Sequence, residues 1–264
     1  MRNVMTLLGA AALVGAAAGT TSAGAAESAA TAWSEGNAAY FRAGAGEYNE
    51  LHVTEVGSEE LFLFNDVVPI TPGEGCTHPY PNDTTVVACV IDGSGDMPRL
   101  SVHLGDGSDD AYIGVGGDGA IHGEDGDDFL HGGVTAQTFH GGAGNDALSG
   151  GAAQFGEAGN DTIQLPVFGY GDGGDGHDTL IGADANESLF GGPGNDVILG
   201  QGGNDYAQGD AGEDDIRGGP GDDELYGGDD ADIIFGNSGD DGISGGGGVD
   251  EISGGPGNNV IYQD

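Results

Sequence analysis

Aspartates recur every eighteen residues in the C-terminal part of this chain, at Asp178, Asp196, Asp214, Asp232 and Asp250. A second series, Asp205, Asp223 and Asp241, is offset from the first by nine. The first series continues upstream, less regularly, through Asp161, Asp146, Asp128 and Asp110. Carboxylates at a fixed repeat are oxygen donors set side by side, which is the chemistry of a hard cation such as Ca²⁺. The composition calls for such a partner. The chain carries 45 acidic residues against four arginines and no lysine, a formal charge of −41. Compaction would crowd these carboxylates unless cations sat between them, and the same field opposes contact with nucleic acid and anionic membranes.

The element that positions the aspartates is a nonapeptide. From Gly105 onward the sequence has a period of nine, the mark of a solenoid. Ten nonapeptides run without a gap from Gly173 to Tyr262, five from Gly105 to Ser149, and one from Gly156 to Gln164. In this register the eighth position reads Tyr112, Ile121, Leu130, Phe139, Leu148 and Ile163, then Leu180, Leu189, Ile198, Ala207, Ile216, Leu225, Ile234, Ile243, Ile252 and Ile261. The sixth position is mostly aspartate and the opening positions mostly glycine, as in Gly191-Gly192-Pro193-Gly194-Asn195-Asp196-Val197-Ile198-Leu199. This pattern predicts a glycine turn followed by a three-residue strand whose middle side chain points inward, with two nonapeptides to each turn of a flat solenoid. Glycine content and charge would also suit a disordered linker, but a linker has no reason to hold sixteen apolar residues at one phase.

The repeats resemble the hemolysin-type calcium-binding (RTX) nonapeptide, G-G-x-G-x-D-x-U-x, over about three-fifths of the chain. The resemblance implies an all-β fold, a Ca²⁺-stabilised parallel β-roll, in which the position-six aspartates and backbone carbonyls of the glycine turns coordinate Ca²⁺ between stacked turns. Residues 38–110 are also similar to a module found ahead of such repeats in secreted bacterial calcium-binding proteins, through Ala43-Gly44-Ala45-Gly46-Glu47-Tyr48-Asn49, Pro72-Gly73-Glu74-Gly75-Cys76, Cys89 and Leu104-Gly105-Asp106-Gly107.

Alternate nonapeptides fall on opposite sides of such a roll. Side A then carries Asp110, Asp128, Asp146, Asp161, Asp178, Asp196, Asp214, Asp232 and Asp250 at position six. Side B carries Gly119, Gln137, two irregular half-turns at 150–155 and 165–172, Glu187, Asp205, Asp223, Asp241 and Asn259. The expected metal ligands are these nine aspartates of side A with Asp205, Asp223 and Asp241 of side B. The expectation is an asymmetric roll, continuous in ions along one edge and partial along the other, that is expanded without calcium and folds on binding it.

Residues 1–26, with Arg2, an apolar run from Val4 to about Gly19 and the small residues Ser22-Ala23-Gly24-Ala25-Ala26, read as a Sec-type signal peptide. Residues 27–33 follow as a linker, and 34–104, with short apolar runs punctuated by prolines, as a small β-rich domain before a roll spanning 105–264. In an exported chain, Cys76 and Cys89 read as a disulfide closing a short loop. The chain ends directly after the last repeat, without the further segment that RTX proteins of the type I secretion route carry, which favours Sec export to the exterior.

No H-E-x-x-H motif is present, and the one G-x-S-x-G string, Gly242-Ile243-Ser244-Gly245-Gly246, lies within the nonapeptide repeats, so the reading is non-enzymatic. His122, His131 and His140 recur at position nine, which sets His122 and His140 on adjacent turns of side B about 5 Å apart. Two imidazoles without a third ligand make a weak metal site. The alternative function is a calcium-dependent surface or matrix adhesion protein, with a protein partner docked on outward apolar positions such as Ile181, Val197, Leu199, Ile233 and Phe235.

Overall fold

The computed structural model describes residues 29–56, 61–91, 98–133 and 137–263; the expected signal peptide lies outside them. Among the described residues the chain is built of strands alone. Seven short strands come first: β1 (Ala30–Glu35), β2 (Ala38–Arg42), β3 (Glu50–Glu55), β4 (Leu61–Asn65), β5 (Ile70–Pro72), β6 (Cys76–Thr77) and β7 (Val86–Val90). The solenoid follows as β8 (Arg99–Asp106), β9 (Asp110–Gly114), β10 (Asp118–Asp125), β11 (Phe129–Gly132), β12 (Gln137–Ala143), β13 (Ala147–Ser149) and β14 (Ala153–Ala158), and continues in the same alternation to β25 (Glu251–Ser253) and β26 (Val260–Tyr262).

Even-numbered strands from β8 onward stack in parallel into one sheet and odd-numbered strands from β9 into another, giving a parallel β-solenoid of about nine turns. The half-turns of side B form the first sheet and those of side A the second. Each strand is short because glycine turns interrupt it on both sides. Alternation then sends one residue per half-turn inward, and Leu130, Leu148, Ile163, Leu180, Ile198, Ile216 and Ile234 of side A meet Ile121, Phe139, Leu189, Ala207, Leu225 and Ile243 of side B in one continuous core. Ile261, also expected inside, is 44% exposed because β26 is the edge strand of its sheet.

Residues 27–33 are not a linker throughout. Ala30 and Ala32 are fully buried and belong to β1, because small side chains alternating with Thr31 and Trp33 fit the inner face of a strand. β2 pairs in parallel with β8, and β3 with β9, so both sheets run unbroken from the N-terminal strands into the roll. The disulfide joins Cys76 on β6 to Cys89 on β7, which are cross-strand partners.

The two irregular stretches keep their place in the side-B sheet. Residues 153–158 pair with β12, and 170–175 with β14. The chain shortens the turns instead: successive position-six residues are 15 apart between Asp146 and Asp161, and 17 apart between Asp161 and Asp178. One consequence was illegible in the repeat pattern. Gln154 takes an inward position beside Phe139, fully buried, where its Nε2 donates to the carbonyls of Gly150 (2.5 Å) and Gln164 (2.9 Å).

Candidate metal centre

Each position-six aspartate sits where the chain turns from one sheet to the other, so side-A aspartates line one edge of the roll and side-B residues the opposite edge. Along edge A the backbone amide of each aspartate donates to Oδ1 of the aspartate one turn further on. The ladder runs Asp109 to Asp128 (2.8 Å), Asp128 to Asp146 (2.8 Å), Asp146 to Asp161 (2.7 Å) and Asp161 to Asp178 (2.7 Å). It continues through Asp196 (2.7 Å), Asp214 (2.8 Å), Asp232 (3.0 Å) and Asp250 (3.1 Å). Edge B repeats the arrangement over a shorter span, with Glu187 donating to Asp205 (2.9 Å), Asp205 to Asp223 (2.9 Å), Asp223 to Asp241 (3.1 Å) and Asp241 to Asn259 Oδ1 (2.9 Å).

The expected Asp110 is not in the ladder; its neighbour Asp109 is. The first complete turn is one residue longer than those that follow, since Asp109 and Asp128 are 19 apart. The register therefore slips by one. Ala111, Ile113 and Val115 turn inward, and Tyr112 lies outside, stacked on His52 at 4.7 Å. Asp110 faces outward and accepts a hydrogen bond from the Tyr48 hydroxyl (2.9 Å). The slip keeps three aliphatic side chains in the core in place of a tyrosine.

Oδ1 of every ladder aspartate is satisfied, but Oδ2 is not. Among the described residues, Oδ2 of Asp109, Asp128, Asp146, Asp161, Asp178, Asp196, Asp214 and Asp232 on edge A, and of Asp205, Asp223 and Asp241 on edge B, is buried without a hydrogen-bond donor. A second oxygen faces most of them. A Cβ added to Gly191 would collide with Asp196 Oδ2 and with the Gly209 carbonyl oxygen of the next turn, and Gly123, Gly141, Gly156, Gly173, Gly209 and Gly227 on edge A repeat this pairing of carboxylate and carbonyl. Glycine is needed here because any side chain would fill the niche between the two oxygens.

Burial keeps these carboxyls well above the usual range, with the charge of neighbouring aspartates adding to it. Asp128, Asp161, Asp196, Asp205 and Asp214 are pushed up to about 7, and Asp146, Asp223 and Asp232 to about 6. Asp109, Asp178 and Asp241 are raised for the same first reason. An isolated buried acceptor without a donor costs about 1–3 kcal/mol, so eleven of them together are comparable to or larger than the whole stability of a domain, about 5–15 kcal/mol. Hard oxygen donors, half of them anionic, converging in glycine-floored niches fit Ca²⁺.

Residues 122–153, 172–207, 208–243 and 244–262 match the RTX calcium-binding nonapeptide repeat in four copies. The solenoid is an RTX β-roll. Its repeats are calcium-binding repeats, and Ca²⁺ is the cofactor they take. No curated protein matches the chain.

The ends of the RTX ladders are closed by side chains. Glu187, at the foot of edge B, accepts from the amides of Phe168 (2.8 Å) and Ala183 (3.0 Å), so both its oxygens are spent within the protein. Asn259, at the head of the same edge, turns its Nδ2 to the Gly255 carbonyl (3.0 Å). On edge A, Asn49 on the segment leading into β3 donates its backbone amide to Asp109 Oδ1 (2.6 Å) and its Nδ2 to the same oxygen (3.1 Å). A neutral amide thus stands at the foot of the longer column. Asp66, among the N-terminal strands, is buried and accepts from the amides of Glu50 (3.0 Å) and Val67 (2.7 Å), with its carboxyl pushed up to about 6 by burial.

A second ladder escaped the sequence reading. Position-five side chains accept from the amide of the residue one turn on: Asp127 from Asn145, Asn145 from Asn160, Asn160 from His177 and His177 from Asn195 on edge A. Asn186, Asn204, Asp222 and Asp240 do the same on edge B. The recurrent Asn or Asp just before position six was the available signal.

Proposed function

We propose that this is an exported, non-catalytic calcium-binding protein whose roll orders as Ca²⁺ enters the niches between successive ladder aspartates. The observation that carries this reading is the series of buried, donorless Oδ2 atoms, most of them facing a carbonyl oxygen. Edge A would hold the longer file of ions, from Asp109 to Asp250, and edge B a shorter one over Asp205, Asp223 and Asp241, bounded by Glu187 and Asn259. The aspartates are buried at the edges of a packed solenoid, a setting that suits a structural role for the ions. Export is supported by the N-terminal sequence, by the Cys76–Cys89 disulfide and by the usual extracellular setting of RTX repeats.

The test is a calcium titration followed by far-UV circular dichroism, size-exclusion chromatography and light scattering. The expected result is a rise in β signal and a fall in hydrodynamic radius at constant mass. An unchanged spectrum and radius at millimolar Ca²⁺ would refute the reading. Growth in mass on calcium addition would move the assignment to the adhesive, interaction role.

A further inference from the structure

Three histidines stand in a file on the outer face of the side-B sheet. His122 stacks between His103 and His140, with ring centroids at 4.6 and 4.7 Å and interplanar angles of 9° and 12°. The file follows from register: His103 on β8, His122 on β10 and His140 on β12 are direct cross-strand partners. The separation is that of neighbouring strands. Period nine revealed two of these residues; the third, His103, precedes the repeats and is brought in by the pairing of β8 with β10.

The two outer imidazoles are oriented by carboxylates. His103 Nδ1 lies 2.8 Å from Glu124 Oε1, and His140 Nδ1 lies 2.9 Å from Glu157 Oε1. A carboxylate on Nδ1 fixes the proton there and leaves the Nε2 lone pair outward, which is the arrangement that supports histidine ligands of borderline divalent metals. His103 Nε2 has only a long contact, 3.4 Å, to the Ser101 hydroxyl. Among the described residues no three His, Cys, Asp or Glu side chains converge on a single point. The file therefore offers its nitrogens pairwise, to an ion seated between neighbouring strands with water completing the sphere.

We infer that the His103–His122–His140 file is a second metal site, chemically distinct from the aspartate edges, that takes a borderline divalent ion such as Zn²⁺. Zinc–nitrogen bonds of about 2.1 Å set tetrahedral donors roughly 3.4 Å apart. Neighbouring rings start at 4.6–4.7 Å between centroids, and rotation of His122 about χ2, a broad torsion for histidine, brings its nitrogen toward either outer ring while the carboxylate contacts of His103 and His140 stay in place. Imidazole selects zinc, copper or nickel over calcium, so the two classes of site do not compete. His122 is shared by both pairs and is the residue on which the site depends. The inference uses the folded, calcium-loaded roll, and its test separates the two.

Zinc chloride is titrated calorimetrically into the full chain held in excess calcium, comparing the wild type with His122→Phe and His131→Phe. Phenylalanine at 122 keeps the ring stack, since Phe155 already follows His140 in it at 5.1 Å, but removes the nitrogen. His131 lies on the other sheet. The expected result is a zinc component weakened at least about tenfold by His122→Phe and unchanged by His131→Phe, with zinc-dependent shifts of the imidazole nitrogens of His103, His122 and His140. Equal zinc binding in the wild type and His122→Phe, or equal loss in both variants, would overturn the assignment. Far-UV circular dichroism of the same samples reports calcium ordering separately, so failure of the roll and failure of the histidine site read out differently.

Discussion

A ladder aspartate divides its carboxylate between two tasks. Oδ1 takes the amide of the preceding turn and sets the stacking, while Oδ2, buried without a donor, is the oxygen proposed to meet the cation. Asp196 shows the consequence, since it receives the amide of Asp178 and donates its own to Asp214. Asp196→Ala is expected to release calcium from both adjoining niches and to raise the calcium midpoint of folding. Glu187→Ala removes two amide contacts but no cation ligand, so it should weaken the roll, by about 1–3 kcal/mol, with the calcium stoichiometry intact. Equilibrium dialysis at saturating calcium distinguishes the two; equal stoichiometries for the two variants would contradict the division of labour. Gly191→Ala is a third probe at this scale. Its Cβ would enter one niche while leaving every ligand side chain in place, so calcium should be lost from that niche alone, where Asp196→Ala empties two.

At the scale of the element, the outer face of the side-B sheet carries its own stabilising device. The histidine file continues into Phe155, Tyr170, Phe190, Tyr206 and Tyr226, with centroids 5.1–5.5 Å apart. Rings zigzag between two outward positions of successive strands, and this stack passes directly over the shortened turns, where the repeat pattern fails. Tyr170→Ala is expected to cost about 0.5–1.5 kcal/mol per broken ring contact and to lower the thermal midpoint at fixed saturating calcium. No change in midpoint would mean the rings stack without contributing. The turns themselves carry a cost: Glu124, Glu157, Gln201, Asp210 and Asn237 have φ between 71° and 78°, a left-handed conformation that most repeats assign to glycine.

Sequence periodicity revealed the roll, both edges and most ladder residues, because a glycine turn, a carboxylate and an inward aliphatic side chain each leave a mark at a fixed phase. It misplaced Asp109 because two aspartates stand together at 109–110 and the choice between them rests on which neighbours pack inward. It could not foresee Gln154 in the core, since that glutamine is tolerated only where two carbonyls come within reach of its amide. The role of Asn49 was equally hidden. It stands outside the repeats and joins the column only because β3 pairs with β9.

At the scale of the whole molecule, protons and calcium compete for the same oxygens. The buried aspartates have folded-state values near 6 to 7, above the unfolded value of about 3.9. Between about pH 4 and pH 7 the folded chain therefore binds more protons than the unfolded one, and without metal its stability falls as pH rises. In chelator, the chain should be more ordered at pH 5 than at pH 8. In calcium, affinity should rise over that interval, with more protons released per ion bound at pH 6 than at pH 8. A metal-free chain that gained β signal on going from pH 5 to pH 8 would contradict the burial assigned to these groups.

Because each interior aspartate touches the turn before it and the turn after it, no niche fills independently of its neighbours. The proposed file of sites along edge A is expected to behave as a one-dimensional chain with nearest-neighbour coupling. Its response to calcium sharpens with the number of consecutive turns, so the shorter run on edge B should fill more gradually than the longer one. The sharing of carboxylates between turns should thus turn the row of proposed sites into a threshold detector of calcium concentration, with the length of the unbroken column setting how abrupt the threshold is.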